Sequence, residues 1–318
     1  MGNKTTLFFG NGLNWGASGC KSWGELLKSI AEDYEIDHKL DSKKPLYTMY
    51  YEEIIMKSNY KNVKNQEEII KKRIADEFNK MKPSEHIYDI SDLKFDNYIT
   101  TNYDYSLKKV FKEKDFSINY NKNINNEKIY SLRRHLTLEN KTRKSNLWYI
   151  HGEINYCKSI MLGFDHYCGY IGKIDSYVKG TYRWKGTKKI EPIKNKIKDY
   201  DKFKADNISW VELFFNSDVH IIGFSLDYSE IDIWWILNKR ARMIQDKELE
   251  GKINNNIYFY GKVDSEKKAY LESFEVKIIE KEESNEDWHS FYEESFIHMV
   301  EEIDRKYKES NDETIIIA

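Results

Sequence analysis

Residues 5–12 read TTLFFGNG, and this stretch carries the clearest sign of how the chain folds. Five β-branched or apolar residues stop abruptly at Gly10-Asn11-Gly12. A short apolar run that ends in glycines is typical of a buried strand followed by a tight turn. The first turn of the chain is therefore predicted at a strand end.

The same pattern recurs three times further along the chain. The later runs end in Thr100-Thr101-Asn102-Tyr103-Asp104, His151-Gly152 and Gly223-Phe224-Ser225. Amphipathic helical patterns cover residues 23–34, 65–81 and 231–243, and strands that alternate with helices indicate βαβ units. We predict an α/β fold: one domain over residues 1–318 with a Rossmann-like parallel sheet flanked by helices, and a helical insertion over residues 25–95.

Three segments give weaker patterns. Residues 112–145 are rich in Lys and Asn and predict no definite element, and residues 180–206 read as an exposed loop or insertion. A last helix is predicted from Trp288 to Ile303. The apolar tail Thr314–Ala318 is either a frayed end or an edge strand.

The composition argues against several classes of protein. Lys and Arg number 51 and Asp and Glu 53, so the net charge of -2 gives no basic footprint for nucleic acid. Three cysteines can form neither a four-thiolate zinc site nor a disulfide framework, which fits a reducing cytoplasm. No apolar run approaches the roughly 20 residues of a membrane span, and the N-terminus is unlike a signal peptide. We expect a cytoplasmic protein that binds neither nucleic acid nor membrane.

The four strand-end clusters predict one shared site, because ligands of an open parallel sheet bind beyond the carboxyl ends of its strands. Gly10-Asn11-Gly12 reads either as an ordinary turn or as a cradle for a phosphate. It is not the dehydrogenase pattern G-x-G-x-x-G, because Trp15 occupies the last position. Asn102 and Asp104 read as turn and cap residues or as site residues. His151 ends a strand, where an imidazole can act as a general base near neutral pH.

In order along the chain, these motifs resemble the sirtuin family, and most closely the zinc-free sirtuin-like domains of bacterial anti-phage defence proteins. The resemblance covers roughly residues 5–260 and includes the Gly-rich first turn, the Thr-x-Asn-x-Asp stretch, the strand-terminal His-Gly and a late Gly-x-Ser-Leu turn. The opening Gly-Asn-Gly also resembles a related abortive-infection family.

The chain departs from protein-deacylating sirtuins at two places. Only Cys157 and Cys168 lie between the His-Gly and the Gly-x-Ser, where those enzymes carry four zinc-binding cysteines. Asn11 stands where they usually have Ala, and the following Pro-Asp-Phe-Arg segment is missing. These departures count against deacylation and against any bound metal.

The resemblance implies cleavage of the nicotinamide–ribose bond of NAD+, which is a substrate rather than a lasting cofactor. In this interpretation Asn102 holds a ribose hydroxyl or the attacking water, His151 acts as the base, and Asp104 supports the site. The residues expected to contact NAD+ are Gly10, Asn11, Gly12, Asn14, Thr100, Thr101, Tyr103, Gly223, Phe224, Ser225 and Tyr260.

Three functions remain open from the sequence. The first is a gated NAD+ hydrolase that acts in abortive-infection defence, as a homo-oligomer and with an activating phage protein or a partner defence protein. The second is an NAD+-dependent deacylase or ADP-ribosyl transferase, and the third is a non-catalytic sensor of NAD+ or ADP-ribose. The retention of Asn102 and His151 favours catalysis. His166 is expected to be structural, although it could reach the site.

Overall fold

A computed structural model of the chain describes residues 3–36, 47–58, 62–121, 127, 129–183, 190–199, 203, 209–280 and 287–316, with side chains up to residue 305. Its centre is an eight-stranded sheet. The strands are β1 Lys4–Phe9, β2 Asn97–Thr100, β3 Ser117–Tyr120, β4 Leu136–Glu139, β5 Lys144–Tyr149, β6 Ser217–Ile222, β7 Ile257–Gly261 and β8 Val276–Glu280.

The strand order is β3-β4-β5-β2-β1-β6-β7-β8. The six strands from β5 to β8 pair in parallel, and β3 and β4 add an antiparallel ribbon beyond β5. The order runs outward in both directions from β1 and β6, which makes their boundary the switch point of the sheet. The predicted α/β fold with a Rossmann-like sheet is confirmed.

Helices cover both faces of the sheet. They are α1 Trp23–Asp33, α2 Tyr47–Lys57, α3 Val63–Phe78, α4 Glu85–Asp92, α5 Ser106–Glu113, α6 Phe164–Val178, α7 Ile193–Lys198, α8 Trp210–Asn216, α9 Ile231–Ile244, α10 Ser265–Ser273 and α11 Trp288–Ile316. Short 3-10 turns cover Asn11–Asn14, Ile154–Ser159 and Lys247–Leu249. Within the described ranges, no helix is long and apolar enough to cross a bilayer.

Successive side chains of the central strands point into two separate cores, as the two-residue period of a strand requires. Leu7 and Phe9 of β1 pack with α1 to α5 and α11, whereas Phe8 between them packs with α6 to α10. Both cores are rich in buried aromatic side chains, so the central strands are covered on both faces.

The helices between β1 and β2 fall in the predicted insertion at residues 25–95, of which residues 37–46 and 59–61 lie outside the described residues. A capping box begins α1: the Ser22 hydroxyl accepts the Glu25 amide, and the Glu25 carboxylate accepts the Ser22 amide at 2.7 Å. Trp23 and Leu26 of α1 and Phe78 of α3 reach the cavity described below.

The structure differs from the sequence predictions in three segments. Residues 112–145 hold β3 and β4. The short strand β3 alternates exposed and half-buried residues, and β4 buries only every second residue, so neither contains an apolar run. The predicted loop at 180–206 contains α7, which buries Ile193 and Ile197 one turn apart. The last helix continues to Ile316, so the tail forms no edge strand, and residues 317–318 lie outside the described residues.

Candidate active site

A cavity of about 690 Å³ lies at the carboxyl ends of five adjacent strands, β5, β2, β1, β6 and β7. From the turns after β1 and β2 it is lined by Asn11, Gly12, Thr101, Asn102, Tyr103 and Asp104. From the far ends of the other strands it is lined by His151, Gly223, Phe224, Ser225 and Tyr260. The cavity crosses the switch point, where open sheets of this kind bind their ligands. The four predicted clusters therefore do meet at one place.

The turns after β1 and β6 are packed backbone to backbone. The Gly12 amide donates to the Gly223 carbonyl at 2.7 Å, and the Gly10 amide donates to the Ile222 carbonyl at 3.1 Å. A Cβ on Gly10 or Gly12 would lie 2.6 or 2.7 Å from the Gly223 carbonyl oxygen. These glycines are thus required for the contact between two turns, and two of the three amides expected at a pyrophosphate are already engaged.

Gly10, Asn14 and Thr100 lie behind the cavity surface and support it. The Asn14 amide group donates to Asp104 at 3.3 Å, which ties the first turn to the second. The Thr100 hydroxyl accepts the Asn102 amide at 3.1 Å and so shapes the turn that carries Asn102. Their predicted contact with NAD+ stays a prediction, and in this structure their contacts are with the protein.

Asp104 is engaged by the protein at the start of α5, and its role in supporting the site stays a prediction. Its carboxylate accepts the Ser106 amide at 2.7 Å, at the start of α5, although the residue before the helix is Tyr105 and not Asp104. Burial raises the pKa of Asp104, and the hydrogen bonds from Ser106 oppose that shift. Tyr103 beside it is held by a 2.6 Å hydrogen bond from its hydroxyl to the Met161 carbonyl.

Two buried hydrogen-bond donors on the cavity wall lack a partner within the part of the chain that the structure describes. They are Nδ2 of Asn102, a residue that is only 9% exposed, and Nε1 of Trp23. A buried donor without a partner costs about 1 to 3 kcal/mol, so such atoms mark places where a ligand is expected to accept. Trp23 stacks on Tyr47 and Tyr167, at ring distances of 5.4 and 6.2 Å.

His151 is 2% exposed and lies between acidic groups. Its Nε2 is 2.8 Å from Oδ2 of Asp232, and its Nδ1 is 3.5 Å from Oε2 of Glu230. The Tyr167 hydroxyl lies 3.3 Å from the same Nδ1 and donates to Glu230 at 3.2 Å. Gly152 follows at φ +100°, where a Cβ would lie 2.3 Å from the Ser159 carbonyl oxygen, so only glycine fits after the histidine.

Opposing effects set the protonation of this group. Burial lowers the pKa of His151, but the carboxylates of Asp232 and Glu230 outweigh burial and leave the pKa raised. Burial raises the pKa of Glu230 to about 7, and the nearby charge of Asp232 adds to that effect while His151 opposes it. Two buried groups whose pKa values are shifted by burial and by neighbouring charges, beside an orphaned amide, are typical of a catalytic site.

The ligand atoms of His151, Glu230 and Asp232 lie within 4.8 Å of one another, and residues of these types can hold a metal ion. The 2.8 Å contact between Nε2 of His151 and Oδ2 of Asp232 is a hydrogen-bond distance. The expectation of no metal stays a prediction, and a chelation test is given below.

The opposite end of the cavity is exposed and basic. Lys262 follows β7 and Lys267 lies in the first turns of α10, and both line the cavity with Asp264 between them. The Lys267 ammonium donates to the Ser225 carbonyl at 2.9 Å. The Tyr260 hydroxyl is hydrogen-bonded to Nδ1 of His220 at 2.9 Å and to Nδ1 of His298 at 3.0 Å. Tyr260 also lines the cavity, but these two bonds engage its hydroxyl within the protein.

A model of the SIR2-like domain family matches residues 96–279, from the start of β2 to β8. This match spans more than half of the 318 residues and includes Asn102, His151 and Ser225. The chain belongs to the SIR2-like domain family. Membership in that family fits an NAD+-related activity. A search of curated proteins finds no match to the chain.

Several residues of this SIR2-like site were missed by the sequence analysis. They are Trp23, Tyr167, Glu230, Asp232, Lys262 and Lys267. Glu230 and Asp232 sit at the start of α9, where acidic residues usually serve only the helix terminus. Their position just after the Gly-x-Ser turn places them near the site edge of the sheet, but it does not indicate a contact with His151. His166 is structural as expected: its Nδ1 accepts the Leu162 and Gly163 amides at 3.1 Å.

Proposed function

We propose that this SIR2-like domain hydrolyses NAD+ to nicotinamide and ADP-ribose. The observation that carries the proposal is the orphaned Nδ2 of Asn102 on the same cavity wall as the acid-flanked His151. A site that only bound a nucleotide would need no group able to take a proton near neutral pH. The family membership supports NAD+ as the ligand.

The size and shape of the cavity suit a dinucleotide. Five adjacent strands border it, and at about 4.8 Å per strand interval their ends span about 19 Å. We place the nicotinamide ribose at Asn102 and His151 and the adenosine at β6 and β7. Lys262 and Lys267 then supply positive charge for the pyrophosphate. The Gly10 and Gly12 amides are not available for this role, because they already donate to backbone carbonyls.

The chemistry needs few groups. Nicotinamide leaves the ribose as a neutral molecule, taking the electron pair of the broken C–N bond, so it requires no strong acid. The transition state is oxocarbenium-like, and water adds its oxygen to the ribose carbon. Asn102 can donate to a ribose hydroxyl or order this water, because its amide both donates and accepts. His151 takes the proton that the water loses.

The aromatic wall at this end supports the same placement. Trp23 and Tyr167 lie next to His151, and the ring of NAD+ nicotinamide carries a positive charge before cleavage. A cation near aromatic faces is stabilised by about 0.5 to 2 kcal/mol, and this interaction is lost once neutral nicotinamide forms.

Hydrolysis is preferred over deacylation because the described cysteines are free thiols, and only two of them lie between His151 and Gly223. In deacylating sirtuins, four cysteines at this place hold the zinc module that supports the peptide groove. The finer part of the proposal follows from the resemblance: a gated, homo-oligomeric effector of anti-phage defence that a phage or partner protein activates. Expression in a phage-challenged bacterial host, with a His151→Ala control, tests that part.

The proposed reaction is tested by incubating the purified protein with NAD+ and separating the products by chromatography. Nicotinamide and ADP-ribose from the wild type, with none from Asn102→Ala or His151→Ala, would support the hydrolase. Product that survives both substitutions would refute these assignments. NAD+ bound but uncleaved by the wild type, also with phage proteins present, would favour the sensor.

A further inference from the structure

His151 is hydrogen-bonded to Asp232, a residue that does not line the cavity. Asp232 is fully buried in the first turn of α9, and its Oδ2 lies 2.8 Å from Nε2 of His151. A carboxylate oxygen only accepts, so Nε2 carries the proton of this hydrogen bond. The other ring nitrogen, Nδ1, is left as the atom that can take a proton.

The second ring nitrogen lies beside two groups that line the cavity. Glu230 and Tyr167 are the groups near Nδ1, and both of them line the cavity wall, as His151 does. The Tyr167 hydroxyl donates its proton to Glu230, which leaves it no proton to give to Nδ1. The two nitrogens therefore differ in their surroundings: one points at a buried carboxylate and the other at the substrate side.

We propose that Asp232 is a positioning residue, which holds His151 in the tautomer with its proton on Nε2 and turns Nδ1 toward the cavity as the proton-accepting atom. The consequence for catalysis rests on the proposed NAD+ hydrolysis. The protonation and orientation of the ring do not rest on it and can be measured without turnover.

The position of Asp232 suits this role in two further ways. The N-terminus of α9 favours a negative charge, because the helix dipole and unpaired amides are positive there. Its second oxygen, Oδ1, is buried and has no hydrogen-bond partner in the described ranges, so the contact with His151 is its main polar contact. A buried carboxylate placed in this way is stabilised by the imidazolium that forms during proton transfer.

The titratable groups that face His151 come from α6 and from the start of α9. They are Tyr167, Tyr170, Glu230 and Asp232, with Tyr103 beyond Glu230. Both acidic groups stabilise the protonated ring, and the hydrogen-bonded one is closer. Removal of Asp232 should therefore move the titration of His151 to lower pH by about 1 to 3 pH units.

The test is ¹⁵N NMR of histidine-labelled protein across pH, with the His151 signals assigned from the His151→Gln spectrum. The wild type is expected to show a protonated Nε2 and an unprotonated Nδ1 above the titration midpoint of His151. Asp232→Asn should lower that midpoint. Glu212→Gln is the matched control, since Glu212 is also fully buried and bonded to a tyrosine, Tyr177, but does not contact His151. It should leave the midpoint unchanged.

The opposite tautomer in the wild type, or an unchanged midpoint in a folded Asp232→Asn protein, would overturn the proposal. The wild-type tautomer decides the question even if the variant fails to fold. With NAD+, Asp232→Asn should lower kcat about 10- to 100-fold, leave KM within about threefold and move the acid limb of the pH profile to lower pH. If the wild type itself releases no nicotinamide, the proposed function fails, and the NMR result still decides the role of Asp232.

Discussion

The cavity end at β2 and β5 is buried and acidic, whereas the end at β6 and β7 is open and basic. His151, Glu230 and Asp232 at the first end are at most 8% exposed as side chains, and both acids contact His151. Lys262 and Lys267 at the second end are exposed or half-buried. A buried group can have its pKa shifted and its geometry fixed, while an exposed lysine acts mainly as a charge for binding.

In the proposed NAD+ hydrolysis, this contrast assigns the two ends to different steps. The buried end can stabilise a transition state because its groups are held in place before the substrate arrives. The basic end can attract and hold an anionic ligand without taking part in bond cleavage. Substitutions at the first end should therefore change kcat, and substitutions at the second should change KM.

The largest effect is expected at His151. His151→Ala should lower kcat about 10²- to 10⁴-fold, the usual contribution of a general base, while calorimetry still detects NAD+ binding. Nicotinamide release measured at saturating NAD+ checks this. A variant that keeps kcat but loses NAD+ binding would show that His151 acts in binding and not as the base.

Glu230 should make stability depend on pH. Its pKa is raised to about 7 in the folded protein from 4.5. Its contribution to the free energy of unfolding is therefore fully present below pH 4.5, and it is lost as the pH rises through about 7. Glu230→Gln is neutral at every pH. Its free energy of unfolding should exceed that of the wild type by up to about 3 kcal/mol at pH 8, but by little at pH 5. Urea unfolding at pH 5 and pH 8 measures this difference in stability. An equal stabilisation at both pH values would contradict a raised pKa for Glu230.

The contact between the two glycine turns joins the two ends of the cavity. Gly12→Ala should destabilise the protein by about 1 to 3 kcal/mol, because its Cβ would lie 2.7 Å from the Gly223 carbonyl oxygen. Gly172→Ala in α6 meets no atom within 4 Å and should be neutral or slightly stabilising. Thermal unfolding of both variants checks the pair, and equal melting temperatures would refute the close approach.

A smaller effect is expected at the basic end. Lys267→Ala should raise KM for NAD+ about tenfold, equal to about 1.4 kcal/mol, with kcat within about threefold. Lys268→Ala is the control, because Lys268 pairs with Glu280 at 2.6 Å and does not line the cavity. The KM difference should shrink in high salt. A change in kcat alone would place Lys267 at the reacting bond instead.

The smallest effect is expected from chelation. A chelator should leave nicotinamide release unchanged, because the Nε2 of His151 is hydrogen-bonded to Asp232 and is not available to a metal. Activity lost with the chelator and restored by a divalent cation would show that the cluster of His151, Glu230 and Asp232 holds a metal after all.

The strand ends were predictable because their signals are local. An apolar run followed by Gly10-Asn11-Gly12 or His151-Gly152 specifies both a buried strand and a turn, and the sheet topology brings such turns to one edge. Strands β3 and β4 were missed because an edge ribbon needs no apolar run. Their pairing depends on partners that lie far apart in the sequence.

The acidic partners of His151 could not be predicted for a similar reason. Asp232 is 81 residues away from His151 along the chain, and it reads as an ordinary residue at a helix start. Its role depends on how α9 packs against α6 and brings its first turn to His151, which no local pattern encodes. The engaged amides of Gly10 and Gly12 likewise depend on how closely two distant turns approach.

The most direct test of the account is a crystal structure of the His151→Gln protein with NAD+ bound. We predict the nicotinamide ribose in contact with Asn102, the ring near Trp23, and the adenosine beyond the Gly223 turn with the pyrophosphate near Lys267. NAD+ bound in the reverse direction, or bound outside this cavity, would contradict the assignment of its two ends.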